Sequence, residues 1–274
     1  MSRNNEHLLH NSVARQLGQQ ILKGDLRPGQ VLPDVETLGA AYGVSRTVLR
    51  EAIKMLTAKG MVVSQPRIGV TVTPRSQWSL LDADVMRWRI DNGLDRAFIY
   101  DVLTMRRIIE PGGAELAAAS ASDQALAHLP VLYDRVIKAL DHDRDQFIIA
   151  DAHFHCGILL AGGSELLSQM TQLIEIAVIT VAISTAHIPD GPRSAMPVHK
   201  AVLDAVCRRS PAAAASLMRE LVDITVEQID RLFQQPQLEV EALLADVTAD
   251  TRRLLDPVSR SREVQLSFVT GFTV

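Results

Sequence analysis

The sequence predicts a mainly α protein in two parts, three helices with a β-hairpin followed by an all-α antiparallel bundle. Three observations carry this expectation. Apolar residues recur at helical spacing through most of the 274 residues. Before the last few residues, one region alone reads as strands, Met61-Val62-Val63 and Val70-Thr71-Val72. Gly and Pro then divide the rest into segments of helix length. At 47% hydrophobic the chain has material for a core, which excludes global disorder. No charge-free apolar stretch reaches the length of a membrane helix; Ile174 to Ile183 is the nearest. Two cysteines, Cys156 and Cys207, suit a reducing compartment, and the polar Met1 to His10 is no secretory signal. A cytoplasmic protein without membrane partners is expected.

Val13, Leu17, Ile21 and Leu22 form the apolar stripe of a first helix, which Gly24-Asp25 stops. Leu26-Arg27-Pro28-Gly29 is a turn. Pro33-Asp34 opens a second helix with Leu38, Ala41 and Tyr42 on its apolar face, and Gly43 interrupts it. Ser45 caps a third helix, Arg46 to about Lys59, whose buried face is Leu49, Ala52, Ile53 and Leu56. Gly60 ends that helix, and the two β-branched runs flank Gln65-Pro66-Arg67-Ile68-Gly69 as a hairpin. Beyond Trp78 the spacing predicts helices over 80–92, 95–119, 122–141, 144–161, 164–186, 197–208 and 211–234. Pro111 is expected to kink the second of these or start a new helix, and 187–196, rich in Pro and Gly, to form a break. Residues 239–255 suit one more amphipathic helix, and 256–274 a tail. The resulting boundaries are 1–75 for the first domain, 76–94 for a connector with a helix, 95–235 for the bundle and 236–274 for a C-terminal extension.

The net charge of −4 hides an asymmetry. Residues 1–75 hold ten basic and five acidic groups, a balance of +5, which leaves −9 for the remainder. A basic module on an acidic one points to a polyanion for the first part, although a merely basic surface has the same arithmetic. A helix that enters the major groove needs one buried face and one that reaches bases and phosphates. Arg46, Thr47 and Arg50 share the stripe opposite the apolar face, and Ser45 with its neighbouring N–H groups suits a phosphate oxygen. At the hairpin tip, Arg67 and Gly69 offer a charge and a slim backbone to the adjoining minor groove.

In the bundle, Asp151 and His155 lie four apart on one helical face, while His153 points elsewhere. His199 begins another helix 44 residues after His155. An Asp and two His converging among apolar residues suit a divalent metal of the Zn or Ni type, whereas the same i,i+4 pair on a surface is an ordinary salt bridge. Arg106, by spacing, suits a helix-surface pair with Glu110 four residues on.

The run Ile21, Gly24-Asp25-Leu26, Pro28-Gly29, Leu32-Pro33, Leu38, Gly43-Val44-Ser45-Arg46-Thr47, Arg50-Glu51-Ala52, Leu56, Gly60, Gly69 resembles the winged helix–turn–helix of the GntR family of bacterial transcription regulators. The resemblance implies operator contacts by Arg46 and Arg50, with Ser45, Thr47 and Gly69 nearby. The chain departs from it at Glu36, where many relatives carry Arg. Arg106, Glu110-Pro111, Asp151-Ala152-His153-Phe154-His155 and His199-Lys200-Ala201-Val202 resemble the helical FCD effector domain of the FadR subgroup. That resemblance implies a metal held by Asp151, His155 and His199 and an effector pocket bordered by Arg106. Leu221 stands where a fourth, histidine ligand is implied. Pro74-Arg75, Gln77-Trp78, Leu81-Asp82, Asp84-Val85 and Trp88 are similar to the interdomain segment of regulators of galactonate and related sugar-acid catabolism.

The expected function is therefore that of a homodimeric repressor, not an enzyme. It binds an inverted-repeat double-stranded operator and is released by a small carboxylate, such as a sugar acid. Two alternatives stand beside it: a metal-dependent enzyme with an accessory DNA-binding domain, and a constitutive DNA binder whose pocket has decayed.

Overall fold

A computed structural model describes residues 3–188, 191–235 and 239–255. The chain divides into two compact units, Met1–Asn92 and Gly93–Val274.

The first unit is built on α1 (Arg3–Lys23), α2 (Val35–Tyr42) and α3 (Arg46–Ala58), with strands β1 (Val62–Gln65) and β2 (Gly69–Val72). Val13, Leu17 and Ile21 of α1 pack with Leu49, Ala52, Ile53 and Leu56 of α3 in one apolar core. On α2 the buried pair is Leu38 and Gly39, while Ala41 is exposed, against expectation. The α2 helix has only eight residues, too few for a wide apolar face. Antiparallel pairing runs from Val62 opposite Val72 to Gln65 opposite Gly69, and residues 29–32 lie along the other edge of β2, with Gly29 N–H donating to Val72 O and Leu32 N–H to Val70 O.

The connector belongs to this unit. A Cβ at Gly60, where φ is +70°, would lie 2.1 Å from the Gln77 carbonyl oxygen, so only glycine lets the chain pass here. Trp78 donates from Nε1 to Thr73 O at 3.1 Å, and α4 (Ala83–Asp91) lays Val85 and Trp88 into the same core. Lys59 at the end of α3 reaches Asp82 at 2.6 Å and Asp84 at 2.9 Å.

The second unit comprises α5 (Arg96–Ser120), α6 (Asp123–Ala139), α7 (Arg144–Ala161), α8 (Glu165–Ser168), α9 (Thr171–Thr185), α10 (Gly191–Cys207), α11 (Pro211–Phe233) and α12 (Val240–Leu255). α7 and α9 are buried around most of their circumference and form the interior; α5 packs on α11 and α7, α6 on α7, α10 on α11, and α12 on α9. Three expectations change here. The single helix expected over 164–186 is two, α8 and α9, separated at Gln169-Met170, where Thr171 turns its hydroxyl back to Ser168 O. The break expected over 187–196 lies partly inside α10, which starts at Gly191 and carries Pro197 within it. Pro192 stands in its first turn, where a missing N–H costs nothing. Pro111 likewise lies inside a continuous α5, which no new helix interrupts. The expected tail, 256–274, lies outside the described residues.

Candidate functional site

Two groups of residues are candidates, one in each unit. In the first, Gly43 takes the left-handed conformation (φ 64°, ψ 32°) and its N–H closes the end of α2 on Ala40 O and Gly39 O. Two residues later Ser45 caps α3, its Oγ accepting from Val48 N–H at 3.3 Å. This tight sequence of stop and start sets α3 with Val48, Leu49, Ala52, Ile53 and Leu56 inward, leaving Ser45, Arg46, Thr47 and Arg50 exposed. Arg67 (φ 65°) and Gly69 (φ 110°) form the exposed hairpin tip. Arg46 Nη2 lies 3.0 Å from Glu36 Oε1.

In the second unit the residues expected to converge do so. Asp151 and His155 on α7 meet His199 on α10, with one ligand atom from each lying within 4.8 Å of the others. All three are buried, and the two imidazoles stand edge to face with centroids 5.4 Å apart, backed by Phe154. Arg106 and Glu110, one turn apart on α5, form a buried pair with Nε donating to Oε1 at 2.6 Å, not the surface pair considered above. The other carboxylate oxygen of Glu110 lies 2.5 Å from His155 Nδ1.

These contacts fix the tautomers. Glu110 only accepts, so His155 carries its proton on Nδ1. His199 Nδ1 faces the Ala195 carbonyl at 2.9 Å and must likewise donate. Both Nε2 atoms thereby face Asp151, whose Oδ1 lies 2.9 Å from His199 Nε2 and 3.9 Å from His155 Nε2. The 2.9 Å contact needs a proton or a metal cation between the carboxylate and the imidazole. The donor set of two oriented imidazoles and a carboxylate fits a divalent metal, which Glu110 and the Ala195 carbonyl would support from behind. Burial alone raises the Glu110 pKa, but the charges of Arg106 and His155 and their hydrogen bonds outweigh it and hold the carboxyl at about 2. Asp151 is similar: burial raises it, while the His199 hydrogen bond and the nearby His155 and Arg106 charges bring it to about 2.

The cluster opens into a cavity. Arg106, Asp151, His155 and His199 line one part of it, and Thr185, Thr225 and Gln228 add polar groups elsewhere. Leu221 also lines the cavity, so the position of the implied fourth ligand faces the right space with an apolar side chain. His153 instead lies 3.8 Å from Glu175 of α9. Sequence reasoning missed Glu110 as a buried bridge, and it missed Thr225 and Gln228 altogether. The i,i+4 Arg–Glu spacing was visible, but its burial depends on the packing of α5 against α7.

Residues 9–72 match the bacterial regulatory proteins of the gntR family, and residues 101–223 match the FCD domain. The chain is 33% identical over 211 residues to the HTH-type transcriptional regulator YieP of Escherichia coli K12, covering 77% of this chain and 90% of that protein. The chain belongs to the GntR family. This GntR-family chain is a DNA-binding transcription regulator with an FCD domain. It is also 31% identical over 222 residues to the galactonate operon transcriptional repressor of Escherichia coli K12, over 76% of this chain and 95% of the repressor. Its fold is shared with a solved regulator, Lar, which controls the expression of the Listeria monocytogenes agr system. That likeness has a TM-score of 0.55 at 16% identity and covers 85% of this chain and 99% of the other. Among the described residues no helix is long and apolar enough to cross a membrane.

Proposed function

We propose that the protein is a homodimeric repressor whose FCD domain senses a small carboxylate, of the sugar-acid class, through a divalent metal held by Asp151, His155 and His199. The observation that carries this reading is the convergence of one ligand atom each from Asp151, His155 and His199 inside a cavity that Arg106 also lines. When bound, the metal supplies positive charge and open coordination positions to a ligand's oxygens. The protein's own charges there are one guanidinium against two carboxylates, a net −1 with neutral imidazoles. That balance repels an anion, and a divalent ion reverses it. Arg106 already gives its Nε edge to Glu110, so its Nη groups remain to meet a carboxylate.

The similarity to the galactonate operon repressor supports the repressor sign and the effector class. One reading head per chain supports a dimer on an inverted repeat, since each head spans one half-site. Release of DNA requires only that effector favour one dimer arrangement over the other by about 1–3 kcal/mol. The regulator reading is preferred to an enzyme because the relatives matched over most of their length are transcription regulators.

Thermal shift against a panel of aldonic acids, with and without chelator, tests the sensing role. Stabilisation by an acid that vanishes on chelation is the expected result. A shift unaffected by chelation removes the metal from the proposal, and steady turnover of any acid revives the enzyme. Glu110→Gln should weaken metal binding about 10–100-fold, because the amide has one acceptor oxygen and no charge for the two donors, Arg106 and His155, that Glu110 serves; competition titration with a metallochromic indicator reads this directly. In the first unit, Arg46→Ala or Arg50→Ala should cost about 1–3 kcal/mol per lost guanine contact. Gel shifts on a selected binding site check it, and unchanged affinity in both variants removes α3 as the recognition helix.

A further inference from the structure

The winged unit carries an acidic group on the face assigned to DNA. Glu36 stands in the first turn of α2, directly after the Asp34 cap, whose Oδ1 accepts from Thr37 N–H at 2.7 Å. Its Oε1 reaches across the Gly43 turn to Arg46 Nη2, at the first position of α3, at 3.0 Å. Both side chains are largely exposed, 78% for Glu36 and 68% for Arg46. An exposed ion pair of this kind contributes about 0–1 kcal/mol to folding, so the fold does not require it. Arg50 and Arg67, the other exposed arginines of the reading surface, have no acidic partner among the described residues.

A helix N-terminus ordinarily attracts phosphate. Here two carboxylates occupy the start of α2 and turn it against phosphate. A carboxylate in the groove accepts only, so guanine O6 and N7 and thymine O4 repel it. Adenine N6 donates, but its neighbour N7 is an acceptor. Cytosine N4 is the donor that has no acceptor beside it on its own base.

We infer that Glu36 is a specificity-determining residue that accepts from a cytosine amine in each half-site and holds Arg46 for a guanine in the adjacent base pair. The inference rests on α3 being the recognition helix. Glu36 thereby lowers affinity for DNA in general, because it occupies one Arg46 edge that otherwise reaches phosphate, and gains discrimination in exchange.

The test is in vitro selection from a randomised double-stranded DNA library with the full chain, comparing wild type, Glu36→Ala, Glu36→Gln and Arg46→Ala. Affinities are then measured for every single-base change in the winning site. Wild type should prefer cytosine about tenfold or more at one position per half-site. Glu36→Ala should lose that preference while binding random DNA more tightly, with a salt slope steeper by about one charge. Glu36→Gln should shift the same position towards adenine, which an amide reads bidentately. Identical base preferences in wild type and Glu36→Ala overturn the inference, even if overall affinity rises, because Glu36 then acts only as a repelling charge. If Arg46→Ala retains the wild-type site and affinity, this inference fails, and an unchanged Arg50→Ala beside it removes the recognition-helix reading as well. Loss of binding in Arg46→Ala alongside an unaltered Glu36→Ala overturns only the inference. Glu36 is exposed, so both of its variants should melt as wild type does.

Discussion

A fragment ending at residue 75 should fail to fold, whereas one ending at Asn92 should give a cooperative thermal transition. The shorter fragment keeps all three helices of the reader and its hairpin, but it lacks Trp78, Val85 and Trp88. These three belong to the core that α1 and α3 build. Removing a buried Trp side chain alone costs about 3–5 kcal/mol, and two of them with a valine rival the 5–15 kcal/mol that a domain has in total. The longer fragment also keeps Asp82 and Asp84 on Lys59, the Arg15–Asp91 pair at 2.8 Å and the bond from Asn92 Nδ2 to Gln19 O. Circular dichroism of the two fragments decides the matter. A folded 1–75 would mean that α4 is an ornament of the first unit rather than part of it.

Arg106→Met should be the most damaging single substitution in the second unit, at about 3–5 kcal/mol, because it leaves Glu110 buried without its cation. Glu110→Gln added to it should recover much of the loss, since the orphaned charge is then gone. Acid titration offers a check with a definite sign. The folded pKa of Glu110, about 2, lies below its ordinary 4.5, and that of Asp151, about 2, lies below 3.8. Both therefore stabilise the fold fully above about pH 5, and that stabilisation is lost as pH falls towards 2. Urea melts of wild type should show this fall, and the double variant should lack the Glu110 share of it. An equal slope in both proteins would locate the acid sensitivity elsewhere.

The first unit was legible in the sequence because its signals are local. Gly43, Ser45 and Gly60 each act within a few residues, and the buried stripe of α3 has a clean helical period. The triad of Asp151, His155 and His199 was legible for the same reason in part: Asp151 and His155 share a turn, and His199 needed only one packing assumption. What stayed hidden depends on distant partners. Arg106 and Glu110 have the spacing of a surface pair, and only the packing of α5 on α7 puts His155 against them. Thr225 and Gln228 carry no motif, and they enter the cavity because α11 lies beside α10. The start of α10 was misread because Pro192 and Pro197 signal a break wherever the first turn cannot be recognised.

The packing of α12 bears on where the second unit ends. Its Leu243, Leu244, Val247 and Leu254 are buried, it lies on α9, and Thr248 Oγ1 accepts from the Leu94 N–H at 3.0 Å. Arg144 reaches Asp250, and Arg253 reaches Asp145, from the start of the helix that bears Asp151 and His155. Yet α12 lies wholly beyond residue 223, where the match to the FCD domain stops. A chimera joined at that point would inherit the recognisable domain and lose the lid on its innermost helix. The border of the shared pattern and the border of the folding unit are therefore different places on this chain.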